Sequence, residues 1–171
     1  DKDGQMWFST YGEGLYVHSH GTLYNINKDD GLKNNDIYSI VSDANGNIYA
    51  GTDNGLISCH FENEKKTISK PISGNSIPDD IITALYMDAG SNKMYAGTFE
   101  NGLWVHDLQN NTNQQLLKQT GQIKKIQISP FGLMVLVDNK TNPLLYIPEH
   151  HQTANSFNAS GNESPLSLID I

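Results

Sequence analysis

The residues in this chain that could do chemistry are few and scattered. His18 and His20 stand two apart, a spacing that puts both on one face of a strand, and Glu149-His150-His151 forms a second small cluster. Neither brings a third ligand at a telling spacing, so both read as surface histidines and no metal is expected. His18 aligns with His106 near the polar end of its strand, where solvent exposure accounts for it. Asp1-Lys2-Asp3-Gly4 and Asp43-Ala44-Asn45-Gly46 resemble the start of a calcium loop, yet the alternate oxygen ligands and distal glutamate of that loop are missing. They read as hairpin turns in which a carboxylate accepts backbone N–H bonds. Cys59 is the single cysteine, which rules out an internal disulfide and a thiolate metal cluster; beside Leu56, Ile57 and Phe61 it reads as a small buried hydrophobe. No nucleophile elbow, phosphate-cradling glycine loop or supported carboxylate pair is present, so no catalytic residue and no cofactor are expected.

Composition narrows the partners. The 171 residues carry a formal net charge of -8, which supplies no basic field for a phosphate backbone and argues against nucleic acid. No run approaches the roughly 18 apolar residues of a membrane helix, so any membrane link belongs to a larger parent protein. Fifteen glycines and many asparagines separate short runs of Ile, Val, Tyr, Trp and Thr, an all-β composition.

Those short runs repeat. Trp7-Phe8-Ser9-Thr10, Tyr49-Ala50-Gly51-Thr52 and Tyr95-Ala96-Gly97-Thr98 align on their threonines, 42 and 46 residues apart. Each passes through a polar turn into Gly14-Leu15, Gly55-Leu56 or Gly102-Leu103. A fourth, worn copy runs from Phe131 to Asp138, with Asp138 placed where threonine stood, and re-enters at Leu144 to Ile147, setting Tyr146 level with Tyr16, Ile57 and Trp104. Upstream of the cores lie further apolar strands, Ile37 to Val41, Ile82 to Met87 and Ile123 to Ile128, with a last one at Leu166 to Ile171. The unit is therefore four strands, a to d, the last of them polar as in Thr67 to Lys70.

Four strands in about 40 to 45 residues is the period of a propeller blade. The expected fold is an all-β propeller of four-stranded antiparallel blades, with repeats over 1–36, 37–81, 82–122 and 123–165 and a final strand, 166–171, belonging to a following or to the first blade. The chain opens inside one blade and closes on strand a of another, as if about four blades were cut from a larger ring. An isolated fragment of that kind is expected to expose a blade face and pair through it. Trp7, Tyr49 and Tyr95, at one repeat position, are expected to fill the wedge between blades and to find partners for their polar tips; Trp104 sits half exposed on strand c.

The second repeat carries a resemblance. Gly31-Leu32-Lys33-Asn34-Asn35-Asp36-Ile37, then Asp43 to Thr52 and Asn54-Gly55-Leu56, resembles the two-component regulator propeller repeat, with Tyr49 and Tyr95 where the family writes tryptophan and Trp7 keeping it. The third repeat has Asn75 to Ile81 in the linker slot, and the fourth lacks both the Gly-Thr pair and the Asn-Asn linker. The resemblance implies the periplasmic, ligand-sensing part of a membrane histidine kinase, non-catalytic in this segment and responsive in many relatives to carbohydrate breakdown products. A propeller-type carbohydrate lyase or hydrolase, with catalytic residues in blades outside this chain, is the alternative.

In a blade, the b–c turns and the d–a linkers emerge on one ring face, where loops on a rigid scaffold can bind. The candidate ligand residues are Tyr11, Glu13, Asp53, Asn54, Phe99 and Glu100, with Asn34 to Asp36 and Asp79 and Asp80 from the linkers. Tyr11 and Phe99 directly follow the threonine in different blades, and exposed rings flanked by Glu and Asn suit a sugar face. The expected partners are a small ligand such as an oligosaccharide, and either the remaining blades of the parent chain or a second copy.

Overall fold

The computed structural model describes residues 4–69, 77, 80–118, 121–129, 132–138, 144–148 and 155–157. Among the described residues, alternating residues and tight Asn- and Gly-bearing turns give fifteen short strands, and every pairing between them is antiparallel. Blade 1 has, among the described residues, three strands, β1 (Met6–Ser9), β2 (Leu15–Ser19) and β3 (Thr22–Ile26). Blade 2 is β4 (Ile37–Ser42), β5 (Ile48–Thr52), β6 (Gly55–Glu62) and β7 (Lys65–Ser69), in that order across the sheet. Blade 3 is β8 (Ile82–Asp88), β9 (Lys93–Thr98), β10 (Leu103–Asp107) and β11 (Thr112–Leu117); blade 4 is β12 (Ile123–Ser129), β13 (Gly132–Val137), β14 (Leu144–Pro148) and β15 (Asn155–Phe157). The expected final strand, 166–171, lies outside the described residues.

The sheets stack face to face. Strand a of one blade lies against strand a of the next, β4 on β8 and β8 on β12, with β5 on β8 and β9 on β12. Each junction has its own core: Leu15, Val17, Ile26, Ile48 and Cys59 between blades 1 and 2; Tyr49, Leu56, Ile82, Met94 and Ala96 between blades 2 and 3; Ala84, Leu103, Ile123, Val135 and Val137 between blades 3 and 4. Trp7, Tyr49 and Tyr95 all join these cores as expected. The Tyr49 phenol donates to the Asp43 carboxylate at 3.3 Å, and burial, together with that carboxylate, pushes it up to about 12. Gly51 and Gly97 set the spacing, because a Cβ there would fall 2.6 Å from the Ile82 carbonyl oxygen and 2.4 Å from Ile123 Cγ2.

The recurrent threonine closes the b–c turn. Thr10, Thr52 and Thr98 each donate through Oγ1 to the carbonyl of Gly14, Gly55 and Gly102, at 2.7, 2.8 and 3.0 Å. Asp43 ties its turn as expected, accepting from Asn45 N and Asn47 N at 2.9 Å each and from Asn47 Nδ2 at 2.8 Å.

Blade 4 corrects the alignment by one residue. Ile37 pairs with Thr52 and Ile82 with Thr98, and their counterpart Ile123 pairs with Val137. Val137, not Asp138, therefore holds the threonine position, and Leu145, opposite Val135, replaces Tyr146 as the partner in register of Trp104. A run of six strand residues with no Gly-Thr landmark offers no way to choose between registers one residue apart.

Candidate functional site

Strand a carries a bulge at the same place in three blades, between Ile37 and Ser39, Ile82 and Ala84, and Ile123 and Lys125. A bulge re-aims the extra side chain. The bulged Tyr38 donates to Asp53 Oδ1 at 2.6 Å, the bulged Thr83 to the Ile123 carbonyl at 2.6 Å, and the bulged Lys124 pairs with Asp138 at 3.2 Å.

Linkers and b–c turns meet as the strand order requires. Gly14 N donates to Asn35 O at 2.9 Å, Ile37 N to Thr10 O at 3.0 Å and Phe99 N to Ile81 O at 2.9 Å. Two clusters result. At the first, the exposed Tyr11 ring lies edge-on to Tyr38, 6.1 Å between centroids, and Asn34 Nδ2 donates to Asp53 Oδ2 at 2.7 Å. The Asp53 carboxylate beside it, aided by burial, raises the Tyr38 phenol well above its ordinary value. At the second, Asp80 Oδ2 accepts from Glu100 N, Asn101 N and Asn101 Nδ2 at 3.2, 3.2 and 2.9 Å, while its Oδ1 accepts from Ile81 N at 2.7 Å. Asn101 O then receives Trp104 Nε1 at 3.1 Å.

Of the sequence-derived ligand residues, Tyr11 is 77% exposed and Phe99 41% exposed, and Glu13, Asn54 and Glu100 point to solvent at neighbouring turns. Asp53 and Asp80 have both oxygens engaged within the protein, so their first task is to hold turn to linker. Tyr11 and Phe99 belong to blades 1 and 3, with blade 2 between them, so they form two separate aromatic points rather than one clamp. Asp79 lies outside the described residues. The sequence reading missed Tyr38, because the bulge that turns it toward Asp53 leaves no mark in the spacing.

A cleft of about 550 Å³ opens on the opposite side, between the c–d turns of blades 1 and 2. Gln5 Nε2 donates to Phe61 O at 3.1 Å beneath it, the Tyr24 and Phe61 rings lie 4.8 Å apart, and Tyr24 OH donates to Glu64 Oε1 at 3.1 Å. Burial and then Glu64 raise the Tyr24 phenol. His60 Nδ1 is buried there without a hydrogen-bond partner. In the sequence these residues belong to separate strands and turns of two blades, and only the stacking of blade 1 on blade 2 makes a cleft of them.

The histidines depart from expectation. His20 occupies the turn after β2 with φ +49, so it does not share a strand face with the exposed His18. His106 is only 2% exposed, its Nδ1 lying 2.9 Å from Asn113 Oδ1, so packing and not solvent accounts for it. Glu149 to His151 lie outside the described residues. Among the described residues no group of three His, Cys, Asp or Glu could hold a metal ion, and no helix is long and apolar enough to cross a membrane.

Comparison with known proteins falls on the same stretch as the resemblance. Residues 31–54 match the two component regulator propeller model. No curated protein matches the chain. Among solved structures it is similar to an extracellular domain assigned to a one component system of B. thetaiotaomicron, at 24% identity and TM-score 0.66, covering 85% of this chain and 21% of that one. A second, assigned to a hybrid two component system of the same organism, gives 16% identity and TM-score 0.68, covering 88% and 21%. The computationally designed protein Ika4 gives 16% and 0.58, covering 80% and 81%. The chain thus spans about a fifth of the length of the natural domains it matches, and the likeness is one of fold.

Proposed function

We propose that this chain, with a two-component regulator propeller repeat at residues 31–54, is a non-catalytic sensing segment of a membrane histidine kinase. In this reading it stands in the periplasm, joins the other blades of its parent protein, and takes a small carbohydrate breakdown product on the face of the b–c turns. The observation that carries the reading is the coincidence of that repeat with the linker-to-turn cluster of Asn34, Tyr38 and Asp53, which holds an exposed Tyr11 ring on a rigid base. An exposed ring beside amide and carboxylate groups offers a stacking surface and hydrogen-bond partners to a sugar. The solved extracellular domains that share its fold support the sensor role.

The test is a titration of the full-length sensor with oligosaccharide by calorimetry. Replacing Tyr11 and Phe99 by alanine is expected to weaken binding at least about tenfold, the size of one lost aromatic contact. Unchanged affinity refutes the b–c turn site. Loss of binding in Tyr24→Ala alone would move the ligand to the cleft between blades 1 and 2.

A further inference from the structure

We propose that the cleft between the c–d turns of blades 1 and 2 is a second ligand site, one that takes a small molecule bearing a primary ammonium group on the Glu64 carboxylate.

The walls of the cleft belong to two consecutive blades. Residues of β2 and β3 and the His20-Gly21 turn between them form one side, and the end of β6 with the Asn63-Glu64 turn forms the other. At about 550 Å³ the cleft lies within the range of small-molecule sites, roughly 300–1,000 Å³. Its buried polar groups are already satisfied. Gln5, 9% exposed, donates to Phe61 O, and Ser19, 6% exposed, has its Oγ 3.0 Å from His20 Nδ1. The Tyr24 hydroxyl gives its one proton to Glu64 Oε1, and Glu64 Oε2 accepts from no group among the described residues. What this wall still offers a ligand is therefore an acceptor, and a charged one.

The surrounding charge agrees. Glu62 and Glu64 both line the cleft, whereas among the described residues no lysine or arginine does. Lys66, two residues beyond Glu64, places its Nζ on Asp30 at 2.8 Å. An anion would enter a negative site with nothing to neutralise it, and a neutral hydroxyl compound would forgo the charge-assisted bond that an ammonium makes. A metal ion is a poor match, because among the described residues no group of three His, Cys, Asp or Glu could hold one. Tyr24 and Phe61, their rings 4.8 Å apart, supply an aromatic wall suited to a cation and its alkyl stem. The turn itself is built for the carboxylate. Asn63 and Glu64 both have left-handed backbone, φ +49 and +62, in a two-residue hairpin whose second position favours glycine, as Gly21 shows in the matching turn of blade 1. Glutamate stands there against its backbone preference, and its side chain reaches Tyr24 of the neighbouring blade.

Ethanolamine and putrescine are the probes, titrated into the isotope-labelled chain at about pH 8, where alkylamines stay protonated and imidazoles are neutral, with backbone amide NMR shifts as the readout. Both amines are expected to shift the amides of Ser19, Asn63 and Glu64 saturably; ethylene glycol and acetate, which lack the ammonium, are expected to leave them unmoved. Glu64→Gln keeps an acceptor for Tyr24 but removes the charge, so it should weaken amine binding about tenfold, the difference between a charged and a neutral hydrogen bond. Glu64→Gly suits the turn better than the native residue, so it should fold and also lose binding. Asp29→Asn, which removes an exposed carboxylate outside the cleft, should leave binding unchanged. Tighter binding of putrescine assigns the site to polyamines and tighter binding of ethanolamine to amino alcohols; either supports the proposal. It is overturned if neither amine saturates, if ethylene glycol binds as tightly as ethanolamine, or if Glu64→Gln binds as the unaltered chain does. It is also overturned if Asp29→Asn weakens binding as much as Glu64→Gln, which would make the effect one of diffuse surface charge. The sugar site on the opposite face stands or falls separately.

Discussion

Gly97→Ala tests the closeness of the blade stack most directly. In a strand with ordinary backbone, replacing glycine by alanine should stabilise by about 0.4–1 kcal/mol through the unfolded chain. Here the added methyl falls 2.4 Å from Ile123 Cγ2 and 2.7 Å from Ile123 Cβ. A Cβ cannot rotate away, so relief requires β9 and β12 to part, and overpacking of this kind costs about 1–3 kcal/mol or more. The net expectation is a loss of about 1–2 kcal/mol, read from urea denaturation followed by circular dichroism. Gly90→Ala is the control, since its nearest neighbour is Asp88 Oδ1 at 3.4 Å; it should be neutral or slightly stabilising. Ile123→Ala alone should cost about 2–5 kcal/mol, and combined with Gly97→Ala it should cost less than the sum, by about 1 kcal/mol, because Cγ2 is gone. A Gly97→Ala chain as stable as the Gly90→Ala chain, with no coupling to Ile123, refutes the interlock of strand b with the following strand a.

Three further outcomes follow from the same packing. Thr98→Val should cost about 1–2 kcal/mol in the same denaturation assay, because fully buried Thr98 Oγ1 both donates to Gly102 O and accepts from Asn101 N at 2.7 Å. Asp43→Ala should cost about 1–2 kcal/mol by releasing two backbone donors and the Asn47 amide, and Asp43→Asn should recover part of it as an Asx turn. Cys59, pushed up to about 12 by burial, should resist iodoacetamide at pH 8 until the chain is unfolded. The thiol ionises more readily unfolded than folded, so its contribution to stability is lost as pH rises from about 9 toward 12; Cys59→Ala should flatten that decline, and an equal decline in both proteins would count against the burial.

How much could be read in advance depended on whether a residue's job is local. The threonine and the Asp43 turn carry their structure within a few residues of sequence, and both appear as the repeat suggested. The order of strands within a blade is likewise local, since each tight turn joins neighbours. What failed was long-range or depended on one residue of register. His106 looked like a surface histidine because it aligns with His18 at the polar end of its strand; instead it is buried, with Asn113 of the adjacent strand beside its ring. In blade 4, losing glycine and threonine removed the landmark, and an apolar run tolerates a shift of one. That shift decides the chemistry of a face: with Asp138 as the threonine, Leu136 would point into blade 3, whereas with Val137 in that place it points outward.

The same distinction separates holding from binding at the candidate site. Asp53 and Asp80 looked equivalent to Glu13 and Glu100 as acidic residues of the same face, yet Asp53 of a turn spends both oxygens on Asn34 and Tyr38, 19 and 15 residues away, and Asp80 of a linker spends one on the turn at Glu100 and Asn101, 20 and 21 residues away, and the other on Ile81 N. Asp53→Asn should therefore damage stability before it damages recognition, because Tyr38 OH and Asn34 Nδ2 lose a charged acceptor worth about 1.5–3 kcal/mol per bond. On the proposed reading, Glu13→Ala and Glu100→Ala should alter recognition at little cost in stability, since both residues are exposed. In that reading a ligand meets the residues just past each threonine, above a base that Tyr38, Asp53 and Asp80 tie to the turns.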